Sequence, residues 1–226
     1  MKGIGKLILF CSLGTGALMV GSSNAFADIS VKNIDPYSSF DASVNTYGDG
    51  QSSYYTIAPK KTETWSRSDS KGFLLAIDTD FKNHRNPKMY YASSNAGFYR
   101  QDDILKSGDG KARKIINADE NRFVKNNKGE YIYSDVKISG SSNKVIVKNI
   151  GSSTKVAIST WSGGDSSFYN LSKGETENWS RSHDPRGYLM IVKDAKYFIH
   201  SGEAAIINGY SVYINNKLAQ RCDLEG

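Results

Sequence analysis

The chain has 226 residues and a formal net charge of +6. No Lys/Arg block is dense enough to argue for a nucleic-acid partner, and no segment after the N-terminal stretch is apolar enough to span a bilayer. The abundance of Ser, Asn, Gly and Tyr, with few Leu runs, is the composition of a β-protein with polar turns.

Residues 1–27 read as a cleavable secretory signal peptide. Lys2 and Lys6 supply the positive start, and Leu7 to Val20 is apolar but interrupted by Gly14 and Gly16. That run is shorter than the roughly 20 residues a membrane span needs. Ala25-Phe26-Ala27 is an A-x-A cleavage site that leaves Asp28 as the new N-terminus, so the expected location is extracellular. Lys2 and Lys6 leave with the signal, which lowers the charge from +6 to +4. Such a charge favours acidic surfaces weakly. Cys11 leaves too, so Cys222 is the only cysteine and no intramolecular disulfide forms. Its thiol either frays with the tail or pairs between chains in an oligomer.

From Asp28 onward one pattern occurs twice. Ile29–Ile34 alternates apolar and polar side chains, the period of a half-buried strand, and shares Val-Lys-Asn-Ile with Val145–Ile150. Ala42 and Val156 open a stretch whose register holds without a gap to Ser70 and Asp184, after which Pro185 reads as an insertion. Within it Gly48-Asp49-Gly50 and Ser162-Gly163-Gly164-Asp165 are hairpin turns, because glycine accepts positive φ cheaply. Tyr54-Tyr55 matches Phe168-Tyr169, Trp65-Ser66-Arg67-Ser68 matches Trp179-Ser180-Arg181-Ser182, and Gly72 and Gly187 lead into apolar strands. A repeat of this kind reads as one domain copied.

The remainder aligns less regularly. Met89-Tyr90-Tyr91 is matched with Tyr197-Phe198-Ile199, Ile115-Ile116-Asn117 with Ile206-Ile207-Asn208, and Asn126-Asn127-Lys128 with Asn215-Asn216-Lys217. On that alignment residues 93–113 are an insertion in the first copy, and Gln101–Lys106 within it is the one short helical turn expected. Glu130–Ile138 alternates again as a last strand of the first copy, and Ser139-Gly140-Ser141-Ser142 is a linker. The expected fold is all-β: two tandem duplicated β-sandwich, jelly-roll-like domains, 28–140 and 141–226.

The residues with most chemical promise lie in the repeat. With strand alternation Trp65 and Arg67 share one face. A Trp beside an Arg, with Lys71 or Arg186 shortly after, is either a corner that holds the sandwich together or a ligand platform. Tyr47 and Trp161, next to the glycine turns, are expected to be exposed. The candidate ligand site is therefore Tyr47, Trp65, Arg67 and Lys71 in the first domain, and Trp161, Trp179, Arg181 and Arg186 in the second. No His has metal-ligand spacing, and Asp78-Thr79-Asp80 and Asp102-Asp103 read as solvated turn acids, so no metal, cofactor or catalytic residue is expected. The function read from these residues is a secreted, non-catalytic binder of surface glycans or anionic lipid headgroups, touching membranes only peripherally. The alternatives are a pore-forming toxin, with residues 93–113 as the segment able to leave the fold, and a secreted glycoside hydrolase.

Overall fold

The structure, a computed structural model, describes residues 28–48, 52–67, 69–101, 104–108 and 117–224. Residues 1–27, expected to be a signal peptide, and Asp49-Gly50, Ser68, Asp102-Asp103 and Ile115-Ile116 lie outside the described residues. Seventeen strands in four sheets and no helix occur among those described. In the first half these are β1 (Asp28–Asn33), β2 (Phe40–Val44), β3 (Tyr55–Ile57), β4 (Thr62–Ser66), β5 (Phe73–Asp78), β6 (Lys88–Ala92), β7 (Gly97–Gln101) and β8 (Ile104–Ser107). In the second they are β9 (Lys144–Asn149), β10 (Thr154–Ile158), β11 (Tyr169–Leu171), β12 (Thr176–Ser180), β13 (Tyr188–Val192), β14 (Ala195–Ile199), β15 (Ala204–Asn208), β16 (Ser211–Ile214) and β17 (Lys217–Leu218).

The strand orders are β4-β1-β7-β8 and β3-β2-β5-β6 in the first half, and β12-β9-β15-β16-β17 and β11-β10-β13-β14 in the second. Strand for strand the order is the same, with one extra edge strand in the second half. The registers agree as well. Trp65 lies opposite Ile29 as Trp179 lies opposite Val145, and Leu75 opposite Tyr90 as Met190 opposite Tyr197. In each half alternate residues fill the space between two sheets: Ile29, Val31, Phe40 and Ile77 in one, Val145, Val147, Ile158 and Leu171 in the other.

Register corrects several expectations. Residues 93–101 and 104–108, the described part of that segment, are not an addition to the first half, because β7 and β8 occupy the places of β15 and β16. The described residues of Gln101–Lys106 are in strands rather than a helical turn: Gln101 ends β7 and faces Ile104 at the start of β8. β7 is hydrogen-bonded to β1 on one edge and β8 on the other, so a segment leaving here would open the sheet. Tyr90, not Met89, is the counterpart of Tyr197. The counterpart of Ile206–Asn208 is Tyr99–Gln101, while Asn117 bridges to Tyr90. The extra residue of the second half falls between Arg181 and Asp184 rather than at Pro185, since Asp184 makes the contacts that Asp69 makes.

Glu130–Ile138 is not a last strand of the first half. Residues 122–138 are hydrogen-bonded to the second: Val124 N–H to Leu218 O, Leu218 N–H to Ile132 O and Ser134 N–H to Asn216 O, with Arg122 paired to Glu203. Asn126–Lys128 belongs to this segment and is no counterpart of Asn215–Lys217. The first half ends as the second does. Ala118 N–H donates to Met89 O at the β6 edge, and Cys222 N–H donates to Lys196 O at the β14 edge. Cys222 is therefore no frayed thiol: it packs against the core, and burial pushes its pKa far up.

Candidate functional site

The loops that carry the repeated motif all lie at one end of each half. Strand direction puts the β2–β3, β4–β5 and β6–β7 connections at this proximal end, and the β1–β2, β3–β4, β5–β6 and β7–β8 connections at the distal end. The two proximal ends meet. Thr46 and Thr160, counterparts of each other, exchange both backbone hydrogen bonds across the junction at 3.1 and 3.2 Å. A pairing of counterparts is what a local two-fold relation produces.

The candidate residues are placed around this junction or just inside it. Trp65 and Trp179 are core residues, 5% and 4% exposed, each with a tyrosine edge-on: Tyr55 at 6.0 Å and Tyr169 at 5.6 Å between ring centroids. Arg67 and Arg181 turn back across the preceding loop onto backbone oxygens. Arg67 donates to Asn45 O and Val44 O, and Arg181 to Ser159 O and Ile158 O, the matching pair. A carbonyl that the strand ladder leaves unpaired is thereby satisfied by a charged donor, which is worth more than a neutral one. Burial lowers the pKa of Arg181, against the opposing pull of Tyr188 and Asp165. Tyr188 is pushed up to about 12, mainly by burial.

Trp161 and Tyr47 correct the expectation of exposure. Trp161 is 4% exposed and donates its indole N–H to Gly187 O at 2.6 Å. Tyr47 is half-buried against Phe73, and burial pushes its pKa well up. Over each ring lies a cation of its own half that also meets an aromatic of the other. Arg186 lies 4.1 Å from the Trp161 ring and 5.2 Å from Tyr54 of the first half. Its counterpart Lys71 lies 4.7 Å from Tyr47 and 5.5 Å from Phe168 of the second half. Each cation thus sits between one aromatic of its own half, Tyr47 or its counterpart Trp161, and one of the other half, Phe168 or its counterpart Tyr54. Each is also held by its own aspartate, Asp184 for Arg186 and Asp69 for Lys71. Pairs of this type contribute about 0.5–2 kcal/mol depending on desolvation. The two aspartates were missed in the sequence because one extra residue in the second half shifts them out of register.

A third cluster forms around His84 of the β5–β6 loop. His84 Nδ1 lies 3.1 Å from Asp78 Oδ2 and Nε2 lies 3.6 Å from Asp41 Oδ2, while the ring stacks on Tyr54 at 4.0 Å. Asp78 Oδ1 accepts Asp80 N–H, so the Asp78-Thr79-Asp80 turn is tied internally. Both ring nitrogens face carboxylates and are spoken for. Among the described residues no group of three or more His, Cys, Asp or Glu is placed to hold a metal ion.

The two most exposed aromatics lie at the distal ends, while Phe168, Tyr169, Tyr131 and Tyr133 are partly exposed elsewhere. Tyr37 in the β1–β2 loop is 90% exposed, and Tyr210 in the β15–β16 turn is 92% exposed. Lys193, in the neighbouring β13–β14 turn, places its ammonium 4.5 Å from the Tyr210 ring centroid. Phe81, Lys60 and Lys82 are exposed on the distal loops of the first half. Sequence reasoning passed over these positions because neither tyrosine recurs in the other half: Tyr37 faces the Ser152-Ser153 turn in the alignment. Comparison with known protein families and with curated proteins finds no match to the chain.

Proposed function

We propose that the protein is an exported, non-catalytic binding protein, built by duplication of one β-sandwich, that contacts surface glycans or anionic lipid headgroups through its distal loops. The observation that carries this reading is the exposure of Tyr37 and Tyr210 at the two distal ends, one of them paired with a lysine. An exposed ring beside a cation suits the apolar face of a sugar or the headgroup level of a membrane. A ring 90% or more exposed buries little area on folding, whereas the repeated Trp residues are used inside the molecule.

In this reading the eight repeated residues hold the binder together and the ligand contacts fall elsewhere. Because both proximal ends are used at the junction, the distal ends lie away from each other. The protein then bridges two surfaces rather than gripping one twice. The experiment is binding of the purified protein to a glycan array and to liposomes with and without anionic lipid, together with agglutination of whichever surface binds. Tyr37→Ala or Tyr210→Ala alone is expected to leave binding but abolish agglutination, and the double substitution to abolish both. A double variant that binds as well as the parent retires the reading.

A further inference from the structure

The β17 edge of the second half is extended by residues 122–134, which run antiparallel to it. Phe123 bridges to Ala219 and Tyr133 to Lys217, and between them a loop is pinched out that Lys125 and Tyr131 close. The loop is locked from within. Asn126 N–H donates to Glu130 O, Gly129 N–H donates to Asn126 O, and Asn126 Oδ1 accepts the N–H groups of Lys128 and Glu130. Residues bridged between antiparallel chains carry their side chains on one face. Phe123, Lys125, Tyr131, Tyr133 and Lys217 therefore share a face.

On this face two ammonium groups converge on one ring. Lys217 Nζ lies 4.6 Å and Lys125 Nζ 5.1 Å from the Tyr131 centroid, so the two like charges are less than about 10 Å apart and repel. Lys217 also lies 5.3 Å from Phe123, whose ring meets Tyr131 edge-on at 5.9 Å. Among the described residues neither ammonium has a carboxylate partner: Asp119 and Glu203 are engaged with Arg122 and His200, and Glu130 accepts Asn126 Nδ2. Tyr133, 60% exposed, continues the platform about 7 Å along the extended chain from Tyr131. We propose that this face binds an acidic polysaccharide. Two flat rings in a row suit the apolar faces of successive sugars. The ammonium groups beside them suit a carboxylate or sulfate carried by those sugars. Asp135 is one exposed acid against Lys125, Lys128 and Lys217. A membrane is the poorer fit, because Tyr131 packs against Phe123 at 36% exposure instead of projecting as Tyr37 and Tyr210 do.

Titration calorimetry of the purified protein with polygalacturonate and with dextran sulfate is expected to show saturable binding to at least one, and none to neutral dextran. The two arms tell a carboxylate ligand from a sulfate one. Tyr133→Ala and Lys217→Ala are each expected to weaken the binding about tenfold. Lys144→Ala, which removes the same charge from an exposed position of β9, is expected to leave it unchanged. Tyr133→Ala is also expected to keep the parent's melting temperature, so its loss of binding is read without loss of fold. Should Lys217→Ala fail to fold, Lys125→Ala takes its place. The proposal is overturned if the parent binds neither acidic polysaccharide, if Tyr133→Ala binds as tightly as the parent, or if Lys144→Ala weakens binding as much as Lys217→Ala. Co-sedimentation with phosphatidylserine vesicles that Tyr133→Ala abolishes, without polysaccharide binding, overturns it in favour of a membrane. The Tyr37→Ala, Tyr210→Ala double variant is expected to bind acidic polysaccharide like the parent. The distal aromatic reading is judged on ligands that Tyr133→Ala and Lys217→Ala bind unchanged, which tells failure of this site apart from failure of that reading.

Discussion

Lys71 and Arg186 occupy the same place in the two halves and do different amounts of the joining. Both are paired to an aspartate two residues before, and both lie over two aromatic rings. Arg186 also reaches across the junction, donating to Ser43 Oγ at 3.0 Å and Ser52 O at 2.6 Å. A planar guanidinium keeps its aspartate through Nε and Nη2 while Nη1 serves the other half. An ammonium is a point charge, and the Lys71 ammonium is committed to Asp69. The aromatics follow the same rule: Trp161 is buried and hydrogen-bonded under the arginine, whereas Tyr47 is half-buried under the lysine. A two-fold arrangement of backbone has thus been filled by unequal side chains, with the second half's cation as the main tie.

The largest test of this asymmetry is Trp161→Ala. Loss of a buried indole with its hydrogen bond is expected to cost about 3–5 kcal/mol in urea unfolding. Tyr47→Ala should cost clearly less, and equal costs would remove the asymmetry. Next come the glycines that begin β5 and β13. Gly72 and Gly187 have φ of +79° and +58°, and a Cβ on either would overlap the ring of Tyr91 or Phe198. Gly72→Ala and Gly187→Ala are each expected to cost about 1–3 kcal/mol through overpacking and strain. A cost in only one half would show that the equivalence stops at the backbone. Arg186→Lys is expected to cost about 1–2 kcal/mol through the lost bonds to Ser43 and Ser52, while Lys71→Arg should be near neutral. Thermal melts that show the reverse order would reassign the tie.

The smallest effect concerns acid. Asp35 stands where the second half has Gly151, each donating its N–H to the counterpart asparagine, Asn33 or Asn149. The N–H groups of Tyr37 and then Ser38 hold the Asp35 carboxyl below its ordinary value. A depressed carboxylate contributes stability that is complete above its unfolded value of about 3.9 and is lost as pH falls below it. Asp35→Asn is therefore expected to flatten the acid limb of the stability profile below about pH 4, with little change near neutrality. An unchanged acid limb would mean that other carboxylates dominate it.

Much of the fold was legible along the chain. The alternation of Ile29, Val31 and Asn33, and of Val145, Val147 and Asn149, is a local property with a period of two, and it marked β1 and β9 directly. The gapless match from Ala42 to Arg67 placed β2–β4 on β10–β12 for the same reason. The match failed beyond Arg67, where one extra residue hid the Asp69–Asp184 pair, again at Met89, where it slipped by one residue, and at Ile115–Asn117, whose pairing with Ile206–Asn208 made β7 and β8 an apparent insertion. In a strand such a slip exchanges the two faces, so alternation alone does not reveal it.

By itself, then, the sequence determined strand periodicity, the repeat and the residue types gathered at the junction, because neighbouring residues along a strand alternate whatever lies beyond them. Only the tertiary structure decided which aromatics are interior. Trp161 reads as a turn residue beside glycines, and it is buried under Arg186, which also reaches the first half's Tyr54. The allegiance of residues 122–138 to the second half was decided in the same way, by hydrogen bonds to an edge some eighty residues away that no local pattern encodes.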